Sequence, residues 1–415
     1  MKRPRRSGVT VLRHGGFTRF VICRCMATLG GQMLAVAVGW QVYALTRDPL
    51  ALGLVGLSEF LPFISLVLVG GHIADRIDRR RVLTAAWSVE VLCIAALLWM
   101  ALTGAHLVWP YYIAIGVFGG TRAFWSPTMQ ALVPLLVPAE DFPRAIAVNS
   151  SLFQAAIILG PALGGALFLL GAGTVFGCCL ALYLAAVLLS LTIGVHAPAR
   201  PATPATHAAH AARAVAGPAQ QATGSAFFEG LRYVLQRRRV LGVISLDLFA
   251  LLPVFASDIL RVGPAGLGLL RTAPAVGSGL MALLLSWRPI ERYGGAVMFG
   301  GVALFGLATL VFGASRSFPL SLAALVLAGS GDMCSVYVRG ILVQTNTPDA
   351  IRGRVSAISS MFIGTSNQLG GFESGLTAKW FGTVPAVLLG GALTLVVVAT
   401  WMGLFPELRR LDRMR

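Results

Sequence analysis

The sequence predicts an all-α membrane protein of twelve spanning helices in two six-helix halves. Three observations lead there: composition, the placement of basic residues, and an internal repeat. The chain has 415 residues, of which 56% are hydrophobic and only 12% charged, and its mean hydropathy is +0.79. A soluble protein of this length has nowhere to hide so much apolar surface. A spanning helix needs about 20 apolar residues, so there is room for twelve with short loops. The 48 glycines suit membrane helices, which use small residues for close approach.

The elements follow in order. A basic tail (1–19) precedes the first half (20–195). Its spans run Phe20 to Leu45, Leu50 to Val69, Val82 to Leu102, Pro110 to Leu136, Arg144 to Leu170 and Thr174 to Val195. Pro127 and Pro134 are expected to kink or weaken the fourth. Residues 196–239 form a linker rich in alanine, proline and threonine, whose His196, His207 and His210 read as solvated. Its end carries Phe227, Phe228, Leu231, Val234 and Leu235 on one helical face among arginines, an amphipathic helix for the membrane surface. The second half (240–405) holds spans from Val240 to Leu260, Ala265 to Trp287, Gly294 to Phe312, Pro319 to Thr345, Val355 to Ala378 and Val384 to Leu404, then a basic tail (406–415).

Charge placement gives the topology. Of 33 lysines and arginines, only Arg47, Arg261, Arg316 and Lys379 fall on the face opposite the termini, and Arg24, Arg122, Arg271 and Arg339 fall within spans. The rest lie on the face of the two tails, which the positive-inside pattern makes cytoplasmic. That placement argues against nucleic acid as the partner behind the net charge of +17. Cys23, Cys25, Cys93, Cys178, Cys179 and Cys334 all lie in apolar runs, with neither metal spacing nor a disulfide frame. No phosphate-binding GxxxxGK[ST] loop is present and no acid–base constellation points to an enzyme. No cofactor is expected.

The halves repeat at an offset of 210 residues: Gly119 meets Gly329, Pro138 meets Pro348, Arg144 meets Arg354, Gly160 meets Gly370 and Gly165 meets Gly375. Six spans repeated in one orientation is a parallel-repeat transporter plan.

Gly70 to Arg81 joins spans 2 and 3 and carries Arg76, Arg79, Arg80 and Arg81. Four cations cannot sit in hydrocarbon, so this stretch lies in water or among headgroups. The pattern Gly71, Asp75, Arg76, Arg79 and Arg80 resembles the loop between helices 2 and 3 of the major facilitator superfamily. Asp78 stands where that pattern has glycine. The resemblance implies a major facilitator fold, and a loop that holds the cytoplasmic helix ends in one of two transport states. Gly160, Pro161, Gly164 and Gly165 in span 5 resemble the GPxxG element of facilitator antiporters; tight packing alone also accounts for them. Phe124 to Pro127, Asn149 to Gly165 and Pro348 to Gly375 resemble a bacterial efflux branch of the superfamily, against which span 7 is short.

Ionisable residues within spans are functional candidates, since each is costly unless paired or wetted. Arg24, Arg122, Asp247 and Asp332 are expected to make opposite-sign contacts across the halves; pairing inside one half, as Arg122 with Glu90, is the alternative. Glu59, Glu90 and Glu373 are candidates to carry a coupling proton. Asp258 and Arg271 lie near outer ends, where water suffices for them. Trp40, Gln41, Phe124, Trp125, Asn149, Gln154, Asn367 and Gln368 are candidates to line a cavity for an amphipathic or aromatic compound. The function expected is a monomeric secondary transporter in the bacterial inner membrane, exporting a small molecule by proton antiport, with both termini cytoplasmic. An importer or uniporter, or a membrane sensor on the same fold, is the alternative.

Overall fold

The structure, a computed structural model, describes residues 8–138, 140–193, 248–288, 290, 292–346 and 369–404. The first half contributes α1 (Gly15–Thr46), α2 (Pro49–Arg76), α3 (Arg79–Thr103), α4 (Trp109–Leu136), α5 (Phe142–Leu167) and α6 (Ala172–Ser190). The second contributes α7 (Leu252–Val254), α8 (Gly263–Trp287), α9 (Gly294–Ala314), α10 (Phe318–Asn346), α11 (369–381) and α12 (Thr383–Leu404). Among the described residues nine helices are long and apolar enough to cross a membrane, with α4 and the described part of α11 beside them. The linker, its amphipathic helix and the two tails lie outside the described residues apart from residues 8–19.

Helix ends follow local chemistry. α1 stops at Arg47, whose φ of 51° is left-handed. Asp48 then caps α2, its Oδ1 accepting from the Leu50 amide at 3.0 Å, with Pro49 pre-set at the first helical position. Gly104, at φ 69°, ends α3 in the left-handed region that glycine enters freely.

One expectation is corrected. The arginine stretch is mostly helix: α2 runs through Gly70 and Gly71 to Arg76, and only Ile77 and Asp78 break it. Gly70 is there for a crossing, since a Cβ on it would strike the Ala123 carbonyl oxygen of α4. Asp78, off the superfamily pattern, caps α3, its Oδ1 accepting from the Arg80 amide at 2.8 Å. α4 runs with Pro127 and Pro134 inside it and ends at Leu136, where the fourth span was expected to end. Span 7 begins in the described residues as a 3-10 turn (Leu248–Leu251), passes through α7 and ends in a π turn (Phe255–Ile259).

In the first half α1 packs on α5 and α6, α2 on α4, and α3 on α4 and α6. Its core gathers Phe17, Phe20, Trp87, Tyr111 and Phe176. The second half repeats the plan: α8 packs on α10, and α9 on α10 and α12. Its core is built on Leu251, Leu267 and a Phe255–Phe312 ring pair with centroids 4.5 Å apart.

The duplication is visible in backbone contacts. A Cβ on Gly119 would strike the Glu59 carbonyl oxygen, and one on Gly329, its repeat partner, the Pro274 carbonyl oxygen. Between halves, a Cβ on Gly165 would lie 2.8 Å from Gly268 Cα, and one on its partner Gly375 2.8 Å from Gly53 Cα. So α5 meets α8 and α2 meets α11 by the same contact, as a two-fold relation between halves requires.

Gly165→Ala places a methyl against the backbone of α8, an overpacking that costs roughly 1–3 kcal/mol. Gly177→Ala meets nothing within 4 Å. Thermal unfolding of the purified protein is expected to shift down for the first and stay unchanged for the second.

Candidate functional site

The described start of the chain (residues 8–14), the α2–α3 turn and the end of α6 share one face of the bundle, here the terminal face; the α1–α2 turn marks the far face. At the far face the halves are joined by polar contacts. Asp258, at the end of span 7, accepts from the Tyr43 hydroxyl at 2.5 Å and pairs with Arg47 at 3.2 Å. Arg47 also donates to Ser257 Oγ at 3.0 Å. Asp48 pairs with Lys379 of α11 at 3.1 Å. Asp258 is therefore not merely solvated, as its position suggested. With the spans drawn, Asp48 and Asp258 are the only acids on the far face, and each takes a cation from the opposite half. That scarcity was the available signal; which cation each meets depends on how the halves dock.

Glycines carry the halves together just below these contacts. In the GPxxG-like element, Gly160 and Gly164 face α1, where a Cβ would meet Gln32 and Met33, whereas Gly165 faces α8. The element thus packs α5 against its own half on one side and against the other half on the next. Thr272 of α8 donates to the Ile158 carbonyl oxygen of α5 at 3.1 Å.

The mid-membrane charges choose partners differently from the cross-half expectation. Arg122 donates to Glu59 Oε1 at 2.8 Å, and Asp332 lies 3.8 Å from Arg339 on its own helix. The cause is the α2–α4 crossing at Gly119, which brings the backbone of Glu59 beside α4. The repeat places Pro274 where the first half has Glu59, so Asp332 finds its arginine along α10. Arg24 sits over the Phe153 ring at 4.4 Å; Asp247 lies outside the described residues. Arg122 is the one exposed side chain of α4 between Gly116 and Met129. α4 is otherwise flanked by α2 and α3, so the Glu59–Arg122 pair sits on the open side of this central helix.

Glu90 does not meet Arg122. It is 1% exposed and accepts from Trp125 Nε1 at 2.9 Å, with Thr121 Oγ1 at 2.5 Å. Trp125 therefore turns its indole nitrogen into the first half's interior, its ring partly buried there. Asn149 is also buried. Trp40 packs edge-on to Phe168 and against the second half's core. Gln41, Phe124 and Gln154 are half-buried, and Glu373 is exposed on α11. Asn367 and Gln368 lie outside the described residues.

On the terminal face, Arg80 reaches the Ile193 carbonyl oxygen at 3.4 Å and Arg19 the Thr192 carbonyl oxygen at 2.6 Å, so arginines gather the end of α6. Gly71 and Asp75 belong to the last turns of α2, Arg76 is exposed and Arg79 half-buried; the Asp75 side chain lies outside the described residues. The His14 hydrogen bond, with Arg144 beside it, holds the Asp141 carboxyl below the usual carboxylate range. This clasp between the chain's start and the α4–α5 turn accordingly persists as pH falls until that lowered value is reached.

The family profile described as transmembrane secretion effector matches residues 6–414. The chain belongs to this major facilitator family. The transporter is 24% identical over 432 residues to the multidrug efflux pump Tap of Mycolicibacterium fortuitum, covering 97% of this chain and 99% of that one. It is 25% identical over 404 residues to the enterobactin exporter EntS of Citrobacter koseri, covering 96% and 93%. Among solved structures it resembles the nucleoside transporter NupG (TM-score 0.67, 16% identity, 94% of this chain and 99% of that one). It also resembles a bacterial homologue of ferroportin in the inward-facing state (TM-score 0.66, 18% identity, 93% and 98%). The transporter is thus a multi-pass membrane protein that moves a small molecule and is not an enzyme.

Exposed ion pairs contribute up to about 1 kcal/mol each. Asp258→Asn combined with Lys379→Gln is therefore expected to open the far face about fivefold more often, as about 1 kcal/mol requires. Distances between spin labels at Leu107 and Arg316 would record the longer population.

Proposed function

We propose that the transporter exports a small amphipathic molecule by proton antiport, using alternating access of two six-helix halves. The observation that carries this reading is the Glu59–Arg122 ion pair on the open side of α4, at 2.8 Å, beneath a far face closed by Tyr43, Arg47, Asp48, Asp258 and Lys379. In this state cargo enters from the terminal face, which the distribution of arginines assigns to the cytoplasm. Proton and cargo then compete at one site. With Glu59 ionised, its charge is spent on Arg122. A proton on Glu59 cancels that attraction and frees Arg122 to turn. Glu90 and Glu373 are the other carboxylates proposed for the proton, and Arg24, Asp247 and Asp332 the further charges of the pathway. Gln41, Phe124 and Gln154 contribute polar and aromatic surface for the cargo.

The α2–α3 turn is proposed to latch the terminal face when the halves rock the other way, with Asp75 and Arg79 or Arg80 as its contacts. The efflux activity named for two relatives supports export rather than import. We assign the protein to the bacterial inner membrane as a monomer with both termini cytoplasmic.

Uptake of a compound panel into inverted vesicles, with and without a pH gradient, tests the proposal. Export appears as uptake that collapses with the gradient. Glu59→Gln is expected to leave gradient-independent exchange and to remove at least tenfold of gradient-driven accumulation. Uptake indifferent to the gradient in the unmodified protein refutes antiport.

A further inference from the structure

A cavity of about 500 Å³ opens where the α2–α3 turn meets the end of α6, walled by Asp78, Arg80, Arg81, Thr84, Ser88 and Leu191. It lies apart from the interface between the halves: α3 packs on α4 and α6, and α6 on α1 and α3, all in the first half. Its volume falls in the range of ligand sites. Its chemistry is graded along α3. Arg81 is exposed at the rim, and Ala85, Val89 and Leu92 follow on the same exposed stripe at three- and four-residue spacing. Across from them α6 presents Leu188, 64% exposed, and Leu191, 47% exposed. A basic, hydroxyl-lined pocket thus continues into an apolar groove on the periphery of the bundle.

We propose that an anionic phospholipid occupies this cavity, its phosphate between Arg80 and Arg81 and an acyl chain along Val89, Leu92 and Leu188. Charge complementarity selects an anion. Among the described residues Asp78 is the only acid in the wall, and its Oδ1 already accepts from the Arg80 amide. The hydroxyls set the polar boundary: Ser88 donates to the Thr84 carbonyl oxygen at 2.8 Å, and Thr84 and Ser190 share a hydrogen bond at 2.8 Å. The apolar continuation selects a lipid over a free anion, because a soluble phosphate gains nothing from that groove. Basic pockets between spanning helices at a membrane surface bind such headgroups. The bound lipid would tie the α2–α3 turn to α6, next to the arginines that already hold the end of that helix. This inference does not depend on the cargo or the coupling ion.

The test uses the purified full-length protein. Native mass spectrometry and thermal melting are run with phosphatidylglycerol, with phosphatidylcholine, and with inorganic phosphate at millimolar concentration. Retention of phosphatidylglycerol over phosphatidylcholine by tenfold or more, with a raised melting midpoint, is expected. The pair Arg81→Gln and Ser88→Leu is expected to cut that retention at least about fivefold, in keeping with the loss of one arginine at a lipid headgroup. Arg81→Lys, which keeps the charge, is expected to preserve it, and the lipid-free melting midpoints check that each variant folds. Equal retention of the two lipids, unchanged retention in the double variant, or displacement of phosphatidylglycerol by inorganic phosphate would overturn the proposal.

Discussion

Two polypeptide backbones touch where the halves meet, and the rest of the molecule is arranged around that contact. Gly165 lies against Gly268 and Gly375 against Gly53, at separations that leave no room for a methyl group. Between membrane helices there is no hydrophobic gain from association, since lipid tails are as apolar as leucine side chains. Close approach of backbones replaces it with dispersion contacts along the crossing. In the proposed cycle the two crossings, being related by the repeat, serve as a pair of bearings on either side of the pathway. The proline next to this surface, Pro161, lends its carbonyl oxygen to the Gly268 contact, so the GPxxG-like element belongs to the bearing itself.

A bearing permits motion but does not choose a pose. Choice comes from weaker, breakable contacts at the two faces. At the far face, Asp258 and Asp48 hold cations from the opposite half through hydrogen bonds that are partly wetted. Such contacts are modest individually, which suits the opening that the proposed cycle requires. The Tyr43 hydroxyl adds directionality, since its ring sits in the first half's core and its oxygen reaches the second half. Between these faces the Glu59–Arg122 pair occupies the open side of α4, where charge would be intolerable in hydrocarbon but is stable when paired beside water.

The first half is more polar inside than its sequence suggests. Glu90 is enclosed with Thr121, Trp125 and Tyr183, all within one bundle. Trp125, whose position in span 4 suggested a cargo surface, turns its indole nitrogen into this interior, and Asn149 of span 5 is buried.

Composition, arginine placement and the duplicated glycines determined the fold class from residue order alone, and the family followed from the resemblance carried by Gly71, Asp75, Arg76, Arg79 and Arg80. They did so because spanning a bilayer imposes a length and an apolar content that any single helix must meet by itself. The glycine positions were legible for the same reason: a residue without Cβ marks a crossing wherever the partner lies. Pairings were not legible. Arg122 had Asp332 and Glu90 as its expected partners, and the rotation of α4 against α2 gave it Glu59 instead. Asp258 looked like a solvated end until the docking of span 7 on α1 set it against Tyr43 and Arg47. Rotation and docking are set by side-chain interdigitation between helices that are apolar on every side, and a uniformly apolar helix carries no periodic signal of which side faces its neighbour.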